Sequence, residues 1–113
     1  MRINYNSQKG ERIILKEKTQ IHQVLIENIT HITCDSTICT FHLIDRRISV
    51  SKSLKLFEEE LSQFGFFRTN RNTLVNLMFL EKQSNKTQPQ IILNTGVSIP
   101  ISRRKKTELL SIL

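Results

Sequence analysis

Apolar residues fall in short runs separated by polar pairs through the first half of the chain. Arg12–Lys16, Gln20–Glu27 and Arg47–Val50 are rich in Ile, Val and Leu and read as strands. Asn28–Ile44 reads as a hairpin turning at Asp35-Ser36-Thr37. The period changes after Val50. Leu54, Phe57, Leu61 and Phe64 recur at helical spacing, with Lys55 and Glu58–Glu60 mostly on the other face. Ser51 or Ser53 caps the start of this helix, expected over about 52–64, and Gly65 caps its end. Strands then return. Thr73–Leu80 is apolar and β-branched enough for one buried strand. Ile91–Leu93 and Val97–Ile101 flank Asn94-Thr95-Gly96, a three-residue hairpin loop with Gly at the left-handed position. Val97, Ile99 and Ile101 are expected to face inward, and Pro100 marks an edge or a strand end. Ser102 opens a short closing helix. Its Leu109, Leu110, Ile112 and Leu113 are expected to pack back while Arg103 to Lys106 project. Residues 1–10 read as a flexible lead-in and residues 11–113 as one mainly β domain.

The chain has 113 residues, enough for one domain that folds without metal or disulfide support. No apolar run approaches the roughly 20 residues of a membrane helix, and the first ten residues lack a signal-peptide core. The expected location is therefore the cytoplasm. Net charge is +7, and its distribution says more than its size. Residues 61–113 hold eight Lys/Arg against two Asp/Glu, whereas residues 1–60 hold nine against eight. A one-sided basic surface recruits polyanions by counterion release and steering.

Two cysteines and two histidines suggest metal chemistry at first sight. His31, Cys34, Cys39 and His42 have a loosely zinc-like spacing. With Ser36 and Thr37 as the turn, Cys34 faces Cys39 and His31 faces His42. Side chains alternate along a strand, so the two pairs lie on opposite faces. One ion cannot reach all four. Ile32, Cys34, Cys39, Phe41 and Leu43 then share an apolar face, and the cysteines read as core residues. A cytosolic setting disfavours a disulfide between them. Catalytic patterns are weak. The sequence carries no Gly-rich phosphate loop and no recognisable nucleophile, base and acid spacing.

The stretch GFFRTNRNTLVNL, residues 65–77, is the strongest chemical signal. Phe66, Phe67, Leu74, Val75 and Leu77 anchor a polar turn that carries Arg68, Asn70, Arg71 and Asn72. Arginine forks onto guanine and asparagine onto adenine, and both also meet phosphates. Asn76 sits among the anchors and reads as a structural hydrogen bonder. A second basic segment, Arg103 to Lys106, follows the last strand.

These two segments, in this order, resemble the LytTR-type DNA-binding domain of bacterial response regulators. The resemblance rests on Phe67-Arg68, then Asn70-Arg71-Asn72, then Val75-Asn76, then Ile99-Pro100-Ile101-Ser102-Arg103-Arg104. Ile29-Thr30-His31-Ile32 and the helix bearing Ser53, Leu54, Phe57 and Leu61 fit as well, so it spans about residues 11–112. It implies an elongated stack of small antiparallel β-sheets with one short helix. It also implies loops entering successive major grooves of double-stranded DNA. The base-reading positions it points to are Thr37, with Ser36 beside it, then Arg71 and Arg103. Arg68, Asn70, Asn72, Arg104 and Lys105 complete the expected DNA-binding set. The family's usual His stands here as Asn70 and its usual Ser as Asn72, which alters side-chain reach and so the expected target sequence.

The resemblance further implies paired direct repeats occupied by two copies, and the residues themselves suggest no metal, cofactor, membrane or small-molecule ligand. A receiver domain has almost no room before residue 11. The expectation is thus a stand-alone regulator or a piece of a longer one. The expected function is sequence-specific transcriptional regulation in bacteria, without catalysis. The alternative is a small β-rich interaction module or anti-regulator whose basic face meets an acidic protein.

Overall fold

The computed structural model describes residues 5–113. Among the described residues, ten strands form three antiparallel sheets, in a body of 42 × 29 × 24 Å. Strands β1 (Arg12–Glu17) and β2 (Gln20–Leu25) form a two-stranded ribbon. The central sheet contains β3 (Ile29–Asp35), β4 (Ile38–Leu43), β5 (Arg47–Val50), β6 (Phe66–Asn70) and β7 (Thr73–Asn76). Its spatial order is β5-β4-β3-β7-β6. Strands β8 (Leu80–Ser84), β9 (Gln90–Leu93) and β10 (Ser98–Pro100) make the third sheet, with β10 at its edge. Helix α1 (Leu54–Leu61) links β5 to β6, and α2 (Arg103–Ile112) follows β10. The structure is mainly β with two short helices, as the patterning predicts.

Two cores lie on opposite faces of the central sheet. Leu74 and Val75 are adjacent on β7 and fully buried, and alternation sends them to different cores. Leu74 joins Ile32, Phe41, Ile48, Phe57 and Leu61, along with Ile13 and Leu15 of the ribbon. Val75 joins Ile91, Leu93, Ile99, Ile101 and Leu109. The apolar stripe of α1 is Leu54, Phe57 and Leu61, and Ser53 caps its start by accepting from Leu56 N at 3.4 Å. A 3-10 turn (Ser62–Phe64) prolongs it to Gly65. Gly65 has φ +87 and lies against the Tyr5 ring, where an added Cβ would come within 2.6 Å of Tyr5 Cδ2. Glycine is required there on both counts.

The structure corrects four expectations. Thr73–Leu80 is not one strand. Asn76 Oδ1 accepts from Met78 N at 3.0 Å, which turns the chain into a 3-10 turn (Leu77–Phe79) and hands it to the third sheet. Val97 is exposed, because the hairpin loop closes through Leu93 N donating to Val97 O, and inward alternation starts at Ile99. On α2 only Leu109 is fully buried. Leu110 lies about 100° around the helix from Leu109 and is exposed, and Leu113, past the last helical residue, is exposed at the chain end. The lead-in divides. Residues 1–4 lie outside the described residues, but residues 5–10 are anchored. Gln8 is buried, donating from Nε2 to Phe64 O at 2.6 Å and Asn76 Oδ1 at 2.9 Å, and Asn6 N donates to Gln63 O.

The hairpin register pairs Cys34 with Cys39 and His31 with His42, as alternation requires. The two imidazole rings stack at 4.1 Å between centroids, 4° from parallel. The Thr30 hydroxyl donates to His42 O, so it accepts from His31 Nδ1. Burial first, and the nearby His42 second, lower the pKa of His31 to about 4. An unfolded histidine binds its proton near 6.5. Between those values the unfolded chain holds more protons, so stability rises with pH. This contribution is complete above pH 6.5 and is lost as pH falls toward 4. The unfolding free energy from urea titrations should drop between pH 7 and 5, by at most about 1.4 kcal/mol per pH unit from this group. His31→Gln should flatten that slope; an unchanged slope would remove His31 as its source.

Candidate nucleic-acid interface

Register brings the β3–β4 and β6–β7 turns, which carry the expected DNA-binding residues, to one end of the central sheet. Thr33 of β3 pairs with Thr73 of β7, so the turn after Asp35 and the turn before Thr73 point the same way. A hydrogen bond ties them together: Cys34 N donates to Asn72 O at 2.8 Å. Ser36 and Thr37 form the two-residue β3–β4 turn, and both are exposed. Ser36 adopts φ +59, a left-handed conformation that a side chain resists. Such strain is concentrated at sites where a loop's shape matters.

The β6–β7 turn is held from three sides. Asn70 Oδ1 accepts from Asn72 N at 2.8 Å, closing a local side-chain turn. Asn70 Nδ2 donates to Pro100 O at 2.9 Å, reaching across to β10. Arg68 donates from one guanidinium nitrogen to Glu58 Oε1 at 3.0 Å and from another to Arg71 O at 2.6 Å. Arg68 thus braces the turn against α1, while the Arg71 and Asn72 side chains stay exposed. Glu58 is the residue sequence reasoning missed, having been assigned to a solvated face. Its signal was present: it lies four residues after Leu54 and one after Phe57, at the border of the buried stripe.

The start of α2 is fastened beside that turn. Strand β6 bulges between Arg68 and Asn70, which removes Thr69 from the ladder with β7. The freed Thr69 carbonyl accepts from Ser102 N at 3.2 Å, and Ser102 Oγ caps α2 by accepting from Lys105 N at 3.2 Å. Arg71, Arg104, Lys105, Asn70 and Ser102 consequently line one groove. Lys105 is partly committed: its Nζ lies 3.3 Å from Glu108 Oε2 and 5.7 Å from the centroid of the Phe67 ring. Among the described residues, Arg71, Arg103 and Arg104 form no ion pair, and all three are exposed.

The first turn of α2 holds Arg103, Arg104, Lys105 and Lys106, with no acidic residue. A helix N-terminus carries partial positive charge, and each cation there is unfavourable by a few tenths of a kcal/mol up to about 1 kcal/mol. A bound anion reverses that penalty, since orphan N–H groups and cations then act together.

Residues 19–113 match the family model of the LytTr DNA-binding domain. The chain belongs to the LytTR DNA-binding domain family. LytTR domains are DNA-binding modules and not an enzyme family, so DNA is the partner that membership implies. A solved structure, the LytTr DNA-binding domain of a protein described as a methyl-accepting/DNA response regulator from Bacillus cereus, superposes with a TM-score of 0.78. It covers 89% of this chain and 94% of its own, at 16% identity, so the likeness extends to the fold. Comparison with curated proteins gives no match. The stacked small sheets are the fold shared with that LytTr domain. Among the described residues, no helix is long and apolar enough to cross a membrane.

Proposed function

We propose that this domain binds double-stranded DNA sequence-specifically and acts as a bacterial transcriptional regulator. In this reading the β3–β4 turn, the β6–β7 turn and the start of α2 enter successive major grooves. Thr37 (with Ser36), Arg71 and Arg103 read bases, while Asn72, Arg104 and Lys105 hold phosphates. Arg68 and Asn70 set the shape of the turn that carries Arg71. The observation that carries the reading is the cluster of four cations at the positive end of α2, fastened beside an exposed Arg71. That charge arrangement is unfavourable in the free protein and becomes favourable on a phosphate backbone. Two copies on paired direct repeats would extend the contact along the duplex.

Selection of binding sites from random duplex DNA tests the proposal directly. An enriched motif is expected. With about 6 phosphate contacts, affinity for it should fall on the order of 10³-fold between 50 and 200 mM salt. No enriched motif, together with a stable acidic protein partner, would replace this reading with that of an interaction module.

A further inference from the structure

Cys34 and Cys39 sit directly behind the β3–β4 turn. In a hairpin with a two-residue loop, the closing pair, here Asp35 and Ile38, exchanges backbone hydrogen bonds, and the next pair does not. The structure agrees, since Cys34 N turns away from β4 to donate to Asn72 O. Non-hydrogen-bonded pairs bring Cα atoms to roughly 4.5 Å, within the range a disulfide spans. Cys39 is fully buried and Cys34 half-buried, and both pack against the same apolar core. Cys34 Sγ also donates to Ser36 O at 3.4 Å, and Cys39 Sγ to Lys52 O at 3.1 Å.

We infer that Cys34 and Cys39 are a reversible oxidation site, closing an intramolecular disulfide across the neck of the β3–β4 hairpin when the chain meets a small-molecule disulfide. Thiols stay reduced in a reducing compartment, so the bond is conditional on oxidant. Cys34, the more accessible, starts the exchange. Its thiolate attacks one sulfur of the oxidant, the oxidant's S–S bond breaks, and one small thiol leaves after taking up the proton. Cys39 then loses its proton to solvent and attacks the Cys34 sulfur, expelling the second small thiol. Two protein thiols are oxidised and one disulfide is reduced to two thiols.

Burial first, and the hydrogen bond with Cys34 second, push the Cys39 thiol up to about 12. Cys39 therefore does not initiate, and the mixed disulfide at Cys34 removes the second of those causes. Closure also removes the thiol hydrogen bond to Ser36 O, inside the strained turn. The consequence for DNA rests on the reading of Ser36 and Thr37 as a contact. The oxidised domain then binds selected DNA roughly fivefold more weakly, the effect of losing one modest hydrogen bond.

The test treats the full chain with oxidised glutathione, alkylates any remaining thiols and weighs the product. The expected product has neither cysteine alkylated, no glutathione attached and monomer mass. A chain ending with glutathione on Cys34, with two alkylated thiols, or as a linked dimer would overturn the site. Cys39→Ser should halt at the Cys34 adduct; closure to any other product would also overturn it. Titration of reduced and oxidised chain with the selected DNA checks the consequence. Equal affinities would overturn the coupling to DNA while leaving the disulfide intact. Failure of the reduced chain to bind any selected DNA would instead refute the DNA reading, and the mass measurement would still decide the disulfide.

Discussion

Arg71→Ala and Arg103→Ala should each weaken binding to the selected site by roughly 1–3 kcal/mol, about 5- to 150-fold, and relax preference at one base position. Both side chains are exposed and make no ion pair among the described residues, so folding stability should hold within about 0.5 kcal/mol. The effect on DNA is then separable from an effect on the fold. Arg71 is the sharper case because its backbone is already positioned. Arg68 donates to its carbonyl at 2.6 Å, and Asn70 closes the same turn at 2.8 Å. The backbone therefore adds little ordering cost on binding, and only the side chain has to be immobilised. Arg71→Lys keeps the charge but loses bidentate geometry. It should retain non-specific affinity and lose discrimination. Lys105→Ala, in contrast, should weaken all sequences alike and shallow the salt slope by about one unit. Wild-type affinity and specificity in both arginine variants would show that the reading surface lies elsewhere.

Asn76→Ala should destabilise the domain by roughly 2–4 kcal/mol. Asn76 is fully buried. Its Nδ2 donates to Ile29 O at 2.8 Å and Gln8 Oε1 at 3.1 Å, while Oδ1 accepts from Gln8 Nε2 and Met78 N. Alanine leaves the Ile29 carbonyl and the Met78 amide inside without partners, and strands the buried Gln8 side chain. Buried unpaired groups cost far more than the net worth of a hydrogen bond. Gln8→Ala should cost less alone, because Asn76 keeps Ile29 and Met78. The two losses should be non-additive in a double-mutant cycle, since each single change already breaks the shared pair. Urea denaturation measures all four corners. A loss under about 0.5 kcal/mol for Asn76→Ala would mean water replaces the network and the junction is not a keystone.

The turn holding Arg71 was legible because its residue types are unusual together: two arginines and two asparagines between apolar anchors. The hairpin register from His31 to His42 was legible because a two-residue turn and period-two alternation leave one pairing. Helix α1 followed from its apolar spacing and from Ser53. The break at Asn76 was not legible, because Leu77–Leu80 has strand-like composition and the turn depends on where an amide side chain bonds. Gln8 was hidden for a similar reason. Nothing local distinguishes a polar residue in a lead-in from one whose partner lies 68 positions away.

Most element types, the two faces of the β3–β4 hairpin, the basic second half and the candidate reading residues were set by the sequence alone. Those properties depend on neighbours within a few positions, where backbone sterics and side-chain alternation act directly. Tertiary structure alone decided which basic segments share a groove. It did so through the β6 bulge, the Thr69–Ser102 and Asn70–Pro100 hydrogen bonds, and the Arg68–Glu58 pair. It also separated exposed Arg71 from braced Arg68 in a motif where both look alike. Hydrogen bonds and ion pairs between residues 10 to 33 positions apart arise only once two buried cores fix the sheets against each other. The identity of each partner is therefore a property of the packed chain and not of its local pattern.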